Sequence, residues 1–148
     1  MGRTDMRAEQ ISVFLENKAG RLAEVTGILS EAQVNIRALA LAETSDFAVL
    51  RLIVNNTEKA VEALRNRGFT IGRTDVLAVE VEDKPGGLHS ILDILNKAEI
   101  NVKYMYTFVQ HSGKNAVMFF RFDHIDEAVR VLEENNVKVI NGSKVYTL

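Results

Sequence analysis

Two stretches of this chain set a polar side chain beside glycine in the way that holding a small charged molecule requires. One reads Asp83-Lys84-Pro85-Gly86-Gly87-Leu88, and the other, sixty-six residues earlier, reads Asn17-Lys18-Ala19-Gly20-Arg21-Leu22. A glycine has no Cβ and lets a ligand come close to the backbone. Asn17 and Asp83, just ahead, offer oxygen acceptors to an ammonium group. The apolar spacing after Leu22 and Leu88 predicts a helix in both cases. A helix start presents N–H groups without intrahelical partners and the positive end of the dipole, where a carboxylate fits. Loop and helix start together could hold both charged groups of an α-amino acid. The same glycines also serve as turn formers, since such a turn often needs a positive φ, and Asn35 and Asn101 further along could cap or brace the chain without touching a ligand.

The loops belong to a longer repeat. Residues 17–37 align without a gap on residues 83–103, with seven of 21 positions identical: Lys18/Lys84, Gly20/Gly86, Leu22/Leu88, Ile28/Ile94, Leu29/Leu95, Ala32/Ala98 and Asn35/Asn101. A chain of 148 residues with this period is expected to form two small domains, 10–74 and 75–148, behind a polar tail, 1–9. Domains of that size bury only about 60% of their chain surface and are marginal alone, so the halves are expected to pack on each other. The composition, 47% hydrophobic and 26% charged with a formal net charge of −2, suits a soluble protein and points to no nucleic acid and no membrane as partner. No apolar run approaches the roughly 20 residues that span a bilayer. The first residues are too polar for a signal peptide, so a cytoplasmic location is expected. With no cysteine, disulfides, thiolate nucleophiles and cysteine metal sites are out of reach.

The elements that must position the loops follow from periodicity. Ile11, Val13 and Leu15 alternate with Gln10, Ser12 and Glu16, which predicts a half-buried strand over 10–16, with Phe14 breaking its polar side. Leu22, Val25, Ile28, Leu29 and Ala32 predict a helix over 21–32. A hairpin of strands 36–43 and 47–54 turns at Thr44-Ser45-Asp46. Asn55-Asn56-Thr57 supplies caps for a second helix, which Gly68 ends, and a fourth strand starts at Phe69. The second half repeats the order: strand 76–82, a helix marked by Leu88, Ile91, Ile94, Leu95 and Ala98, strands 102–110 and 116–122, helix 125–135 capped by Asp123, and strand 137–140. Residues 143–148 suffice for one short extra strand. The linker, Thr74-Asp75, is too short to let the halves wander.

Strand, helix, strand, strand, helix, strand is the α+β ferredoxin-like βαββαβ order, a four-stranded antiparallel sheet with both helices on one face. That architecture alone decides no function. A strand ending at Asp83, Pro85-Gly86-Gly87-Leu88 opening a helix, and Ile100-Asn101-Val102 opening the next strand resemble the signature of ACT domains, small regulatory modules that commonly bind amino acids. The resemblance spans residues 10–140 and is similar to stand-alone proteins of two tandem ACT domains. The first copy departs from it at Ala19, where proline is usual, and at Arg21, where the second copy has Gly87.

The resemblance implies a ligand held at the interface between modules, near this loop and near the asparagine that opens the second strand. Carried over, it points to Asn17, Gly20 and Asn35 in one copy and to Asp83, Gly86 and Asn101 in the other. Ala19, Arg21, Leu22, Ile36, Pro85, Gly87, Leu88 and Val102 would line the pocket. A non-enzymatic protein is expected, assembling into a homodimer through exposed sheet edges or faces, with output passing to a partner enzyme or regulator or to a change of assembly state. An ACT-fold docking module without a ligand is the alternative. An acylphosphatase-like hydrolase would need an arginine and an asparagine converging on phosphate, for which Arg21 with Asn35 is a weak pair.

Other signals carry less. His89, His111 and His124 share no metal-ligand spacing, and His89 and His124 are expected at the surface. No cofactor or metal is expected. Glu133-Glu134 reads as a solvated helix end, not an acid–base pair. Phe119, Phe120 and Phe122 could suggest a base-stacking sheet, but the basic-glycine-aromatic motif is absent, and core or interface packing fits them better. Ala38 and Ala40 align with Tyr104 and Tyr106. The tyrosines either fill space against the other repeat's alanines or cover their own sheet.

Overall fold

A computed structural model of the chain describes residues 6–107 and 115–147. In order, β1 (Arg7–Glu16), α1 (Arg21–Glu31), β2 (Ile36–Glu43), β3 (Phe47–Val54) and α2 (Thr57–Asn66) lead into β4 (Thr70–Glu82). Then come α3 (Gly87–Lys97), β5 (Val102–Thr107), β6 (Asn115–Phe122), α4 (Ile125–Glu134), β7 (Val139–Ile140) and α5 (Gly142–Val145). The chain forms two compact units, a first module of residues 9–74 and a second of residues 75 onward, joined by the N-terminal residues through Ala8.

In the first module β2 and β1 flank β3 in antiparallel register, Leu39 opposite Leu52 and Val13 opposite Leu50. The N-terminal part of β4 completes the order β2-β3-β1-β4. In the second module β5-β6-β4-β7 has the same order, with Tyr106 opposite Phe119 and Val79 opposite Met118. The helices bury Val25, Ile28 and Leu29 of α1 and Ala60, Val61 and Leu64 of α2 in one core with Ile11, Val13, Leu50 and Leu52. Ile91 and Leu95 of α3 and Ala128, Val129 and Leu132 of α4 share the other with Leu77, Val79, Phe120 and Phe122. The expected α+β order is therefore present twice. Backbone torsions repeat with it. Gly20 and Gly86 have φ of 90° and 85°, Gln33 and Glu99 58° and 57°, and Gly68 and Asn136 88° and 60°.

Several expectations need correction. The expected fourth strand of the first module and first strand of the second are one 13-residue strand, β4, because nothing at Thr74-Asp75 breaks extended backbone. β1 starts at Arg7, inside the expected tail. The Arg7 guanidinium donates to Asp75 at 3.0 Å and Asp126 at 2.6 Å, Ala8 is buried, and Met6 packs on the second core. Residues 143–145 lie in the short helix α5, not a strand, where the Asn141 side chain accepts from the Ser143 N–H at 3.0 Å. Asp123 does not cap α4, whose N-cap is His124. Its carboxylate pairs instead with Lys103 at 3.2 Å. Gln10 and Ser12 are buried, and the Gln10 amide donates to the Ser12 hydroxyl at 3.2 Å. Alternation tells which side a residue faces but not whether that side is covered. Tyr106 stacks on Phe119 of its own sheet, ring centroids 5.4 Å apart. Phe119, Phe120 and Phe122 are all fully buried. Residues 108–110 of the expected strand, His111, residues 1–5 of the tail and Leu148 lie outside the described residues.

Candidate functional site

β1 ends at Glu16 and β4 at Glu82, and each hands the chain to a helix through the same turn. The Lys18 N–H donates to the Glu16 carbonyl at 2.9 Å, and the Lys84 N–H to that of Glu82 at 3.0 Å. Gly20 and Gly86 are the left-handed N-caps of α1 and α3, and neither helix has a side-chain cap. A Cβ on either glycine would meet nothing within 4 Å, so their requirement is torsional. Gly87 is different. A Cβ there would lie 2.0 Å from the Glu82 carbonyl oxygen, so α3 seats against the end of β4 only because that residue has no side chain. Arg21 stands at the matching place in the first loop, where the turn is looser. The Arg21 N–H lies 3.4 Å from the Lys18 carbonyl, and the Gly87 N–H 3.0 Å from that of Lys84.

Beside the second loop is a cleft of about 580 Å³, within the size range of small-molecule sites. β4 contributes Glu80 and Glu82, α3 Gly87, Ser90, Ile91 and Ile94, the start of β6 Asn115, and the turn from α4 to β7 Asn135, Asn136, Val137 and Lys138. Each position has a local cause. The left-handed Asn136 ends α4 and swings Lys138 back along β4, where its carbonyl accepts from the Glu80 N–H at 3.0 Å. The β4–β6 register sets Asn115 opposite Glu82. The Asn115 amide donates to the Glu80 carboxylate at 2.9 Å and Lys138 Nζ lies 3.4 Å from it. Those bonds, Asn115 first, hold the Glu80 carboxyl below the ordinary glutamate range against the opposing effect of burial. Carboxylates, an ammonium, three amides and an apolar wall thus surround an uncapped helix start. A small zwitterion matches that set, its carboxylate at the helix N–H groups or Lys138 and its ammonium at a glutamate.

The first module has a cleft at the equivalent place, about 380 Å³, lined by Phe14, Leu15, Glu16, Arg21, Phe47, Arg67, Gly68, Phe69 and Thr70. The correspondence is set by register. Phe47 faces Glu16 as Asn115 faces Glu82. Phe69 donates to the Leu64 carbonyl as Val137 does to that of Leu132. Where the second cleft has Glu80, Asn115 and Gly87, the first has Phe14, Phe47 and Arg21.

Of the residues expected to bind, Gly87 and Arg21 line the clefts. Asp83 and Pro85 are exposed outside the second cleft's lining, as Ala19 is outside the first. The Asn17 amide donates to Glu43 at 3.3 Å, and its N–H to the Asp46 carbonyl. Leu88 packs on the second core and Leu22 is 42% exposed. Asn35 exchanges bonds with Asn55 at 2.8 and 3.0 Å, and the Asn101 amide lies 3.5 Å from Asp123. Ile36 and Val102 pack on their cores. Within one module, the asparagines and the glycine loop sit at opposite ends of an 11-residue helix, about 16 Å long. Sequence reasoning missed Glu80, Glu82, Ser90, Asn115, Asn135, Asn136 and Lys138. The signal for some of them was the repeat itself, since Asn136 aligns with the helix-ending Gly68. His89 and His124 are exposed. Among the described residues no group of three or more His, Cys, Asp or Glu could hold a metal, and no helix is long and apolar enough to cross a membrane.

A family model described as an ACT domain pair matches residues 6–148. The small subunit of acetolactate synthase isozyme 3 from Escherichia coli K12 is 30% identical over 90 residues, 61% of this chain and 44% of that protein. The acetolactate synthase small subunit of Buchnera aphidicola is 29% identical over 82 residues, 53% of this chain and 50% of that protein. The chain spans about half the length of the curated relatives it matches. Protein BT0572 from Bacteroides thetaiotaomicron has a solved structure that superposes with a TM-score of 0.90 at 37% identity, over 97% of this chain and 98% of that one. The regulatory subunit of aspartate kinase from Thermus thermophilus shares the fold, with a TM-score of 0.63 at 15% identity over 88% of this chain and 93% of that one.

Proposed function

The chain belongs to the ACT-domain family as a tandem pair of such domains, and from that premise we propose that it is a regulatory protein that binds a free amino acid. The observation that carries the reading is the second-module cleft, where groups of both signs and three amides meet beside an uncapped helix start. Binding acts by linkage. The ligand favours one arrangement of the protein and shifts the population toward it, and a partner reads the change. Two relatives are named as subunits of an enzyme, which supports a partner enzyme as the recipient. The reading includes self-association as a homodimer, supported by the edge strand β2, whose Leu39 and Leu41 are 45% and 50% exposed.

The test is a thermal-shift screen against the twenty amino acids, with the mass in solution measured by light scattering. A ligand at about 100 times its Kd adds about 2.7 kcal/mol, which in a chain of this length raises the midpoint by roughly 5 to 10 °C. Lys138→Ala and Asn115→Ala should each shrink the shift. If none of the twenty moves the midpoint, the ligand-binding reading fails.

A further inference from the structure

We infer that Glu82 receives the ligand's ammonium group in the second module, and that in the first module Arg21 holds that same place permanently, so that each chain takes up one ligand. The inference rests on the reading of the second cleft as an amino-acid site. Its evidence is the duplication, which lets one module serve as the template for the other.

The two strand ends are the same structure. Glu16 and Glu82 close their strands, accept the same turn bond from Lys18 and Lys84, and precede a left-handed glycine cap. Both carboxylates also have the lysine two residues on as an ion-pair partner, at 3.9 Å for Lys18 and 3.2 Å for Lys84. They differ on the cleft side. The Arg21 guanidinium reaches back to Glu16 at 2.8 Å and forward to Glu24 at 2.7 Å, bridging the strand end and the first turn of the helix. In the second module Arg21 is replaced by Gly87 and Glu24 by Ser90. No side chain from position 87 can reach Glu82, and both Glu82 and Ser90 border the open cleft. A guanidinium that bridges the strand-end carboxylate and the helix is thus built into one module, and in the other the same glutamate borders a cleft of ligand size.

Two further exchanges agree. A ligand in the second cleft meets Glu80, Asn115 and Lys138, whereas the first cleft has Phe14, Phe47 and Thr70 at the corresponding positions. To enter the first cleft a zwitterion would have to displace a guanidinium bound to two carboxylates and would then face rings where its polar groups need partners. Asp83, the carboxylate nearest the glycine turn in sequence, lies outside the cleft lining. Its neighbour Glu82 lies within it.

The experiment is isothermal titration of the full chain with each of the twenty amino acids. The expected stoichiometry is one per chain. Glu82→Gln should weaken binding by roughly tenfold or more, the worth of a charge-assisted hydrogen bond, while Glu16→Gln and Asp83→Asn leave the affinity within about twofold. Thermal midpoints of the three variants without ligand confirm that each is folded. Two ligands per chain overturns the role of Arg21. Full affinity in Glu82→Gln overturns the role of Glu82. Absence of binding to the unaltered chain by all twenty is a different result, the failure of the functional reading itself, and takes this inference with it.

Discussion

Gly86 and Gly87 are neighbours in sequence and are glycines for different reasons, one torsional and one steric. Gly86→Ala would place an L side chain at a φ of 85°, a strain of about 1 to 2 kcal/mol. Gly87→Ala would drive a methyl into the Glu82 carbonyl and should cost about 1 to 3 kcal/mol, with a displaced α3. Gly27, inside α1 with nothing within 4 Å of its absent Cβ, is the control: Gly27→Ala should stabilise by about 0.5 to 1 kcal/mol. Urea denaturation of the three variants checks both signs. A second residue-scale prediction concerns Glu80, whose carboxyl is held low by Asn115 and Lys138. A group depressed in the folded state adds stability that is present above the ordinary glutamate pKa of about 4.3 and is lost as pH falls through its lower folded value. The urea midpoint should therefore decline below about pH 5, and Glu80→Gln should flatten that decline; an unchanged slope would show that its bonds contribute nothing. The repeat exposed the glycines in the sequence. It could not separate torsion from contact, because contact depends on where the Glu82 carbonyl points.

Elements with a full period of apolar residues were legible from end to end, since burial imposes that period. α1, β2, β3 and α2 lie within a residue or so of expectation. Short or shared elements were not legible. α5 is four residues long, less than two turns, so it carries no period. Asp123 looks like a cap because aspartate favours that place, yet helix α4 begins one residue later at His124. Asn56 does cap α2, accepting from the Lys59 N–H at 3.1 Å. Asn56→Ala should therefore cost about 0.5 to 2 kcal/mol, whereas Asp123→Ala gives up only exposed contacts to Lys103 and Asn101 and should leave the urea midpoint nearly unchanged. The N-terminal strand offers a sharper test. Polar residues 1–9 look like a tail, but Met6, Arg7 and Ala8 serve the second module. A chain beginning at Glu9 should lose about 1 to 3 kcal/mol, with faster amide exchange at Leu77–Val81 than at Val13 or Leu50. Equal exchange at both places would show that the segment is dispensable.

At the scale of the whole molecule the duplication is the informative fact, because two copies of one fold under the same geometric rules have diverged where a ligand would touch them. Their cores remain alike, with apolar residues at matching strand and helix positions. The clefts do not, one being lined by Phe14, Phe47 and Arg21 and the other by Glu80, Asn115 and Gly87. The loops of this site were legible in the sequence as a repeated string. Its far wall, Asn135 to Lys138, was not, since α4 and β7 reach it from more than forty residues away in the chain, and no local pattern reports that approach. Divergence of this kind predicts an uneven response to ligand. Bound amino acid at about 100 times its Kd should slow exchange by up to about a hundredfold for amides that open locally around α3 and the α4–β7 turn. Amides of α1 and of the α2–β4 turn should keep their rates, because Arg21 already bridges the strand and helix there with or without ligand. Equal slowing around both loops would mean that the first module also responds, and the specialisation read from its side chains would then be wrong.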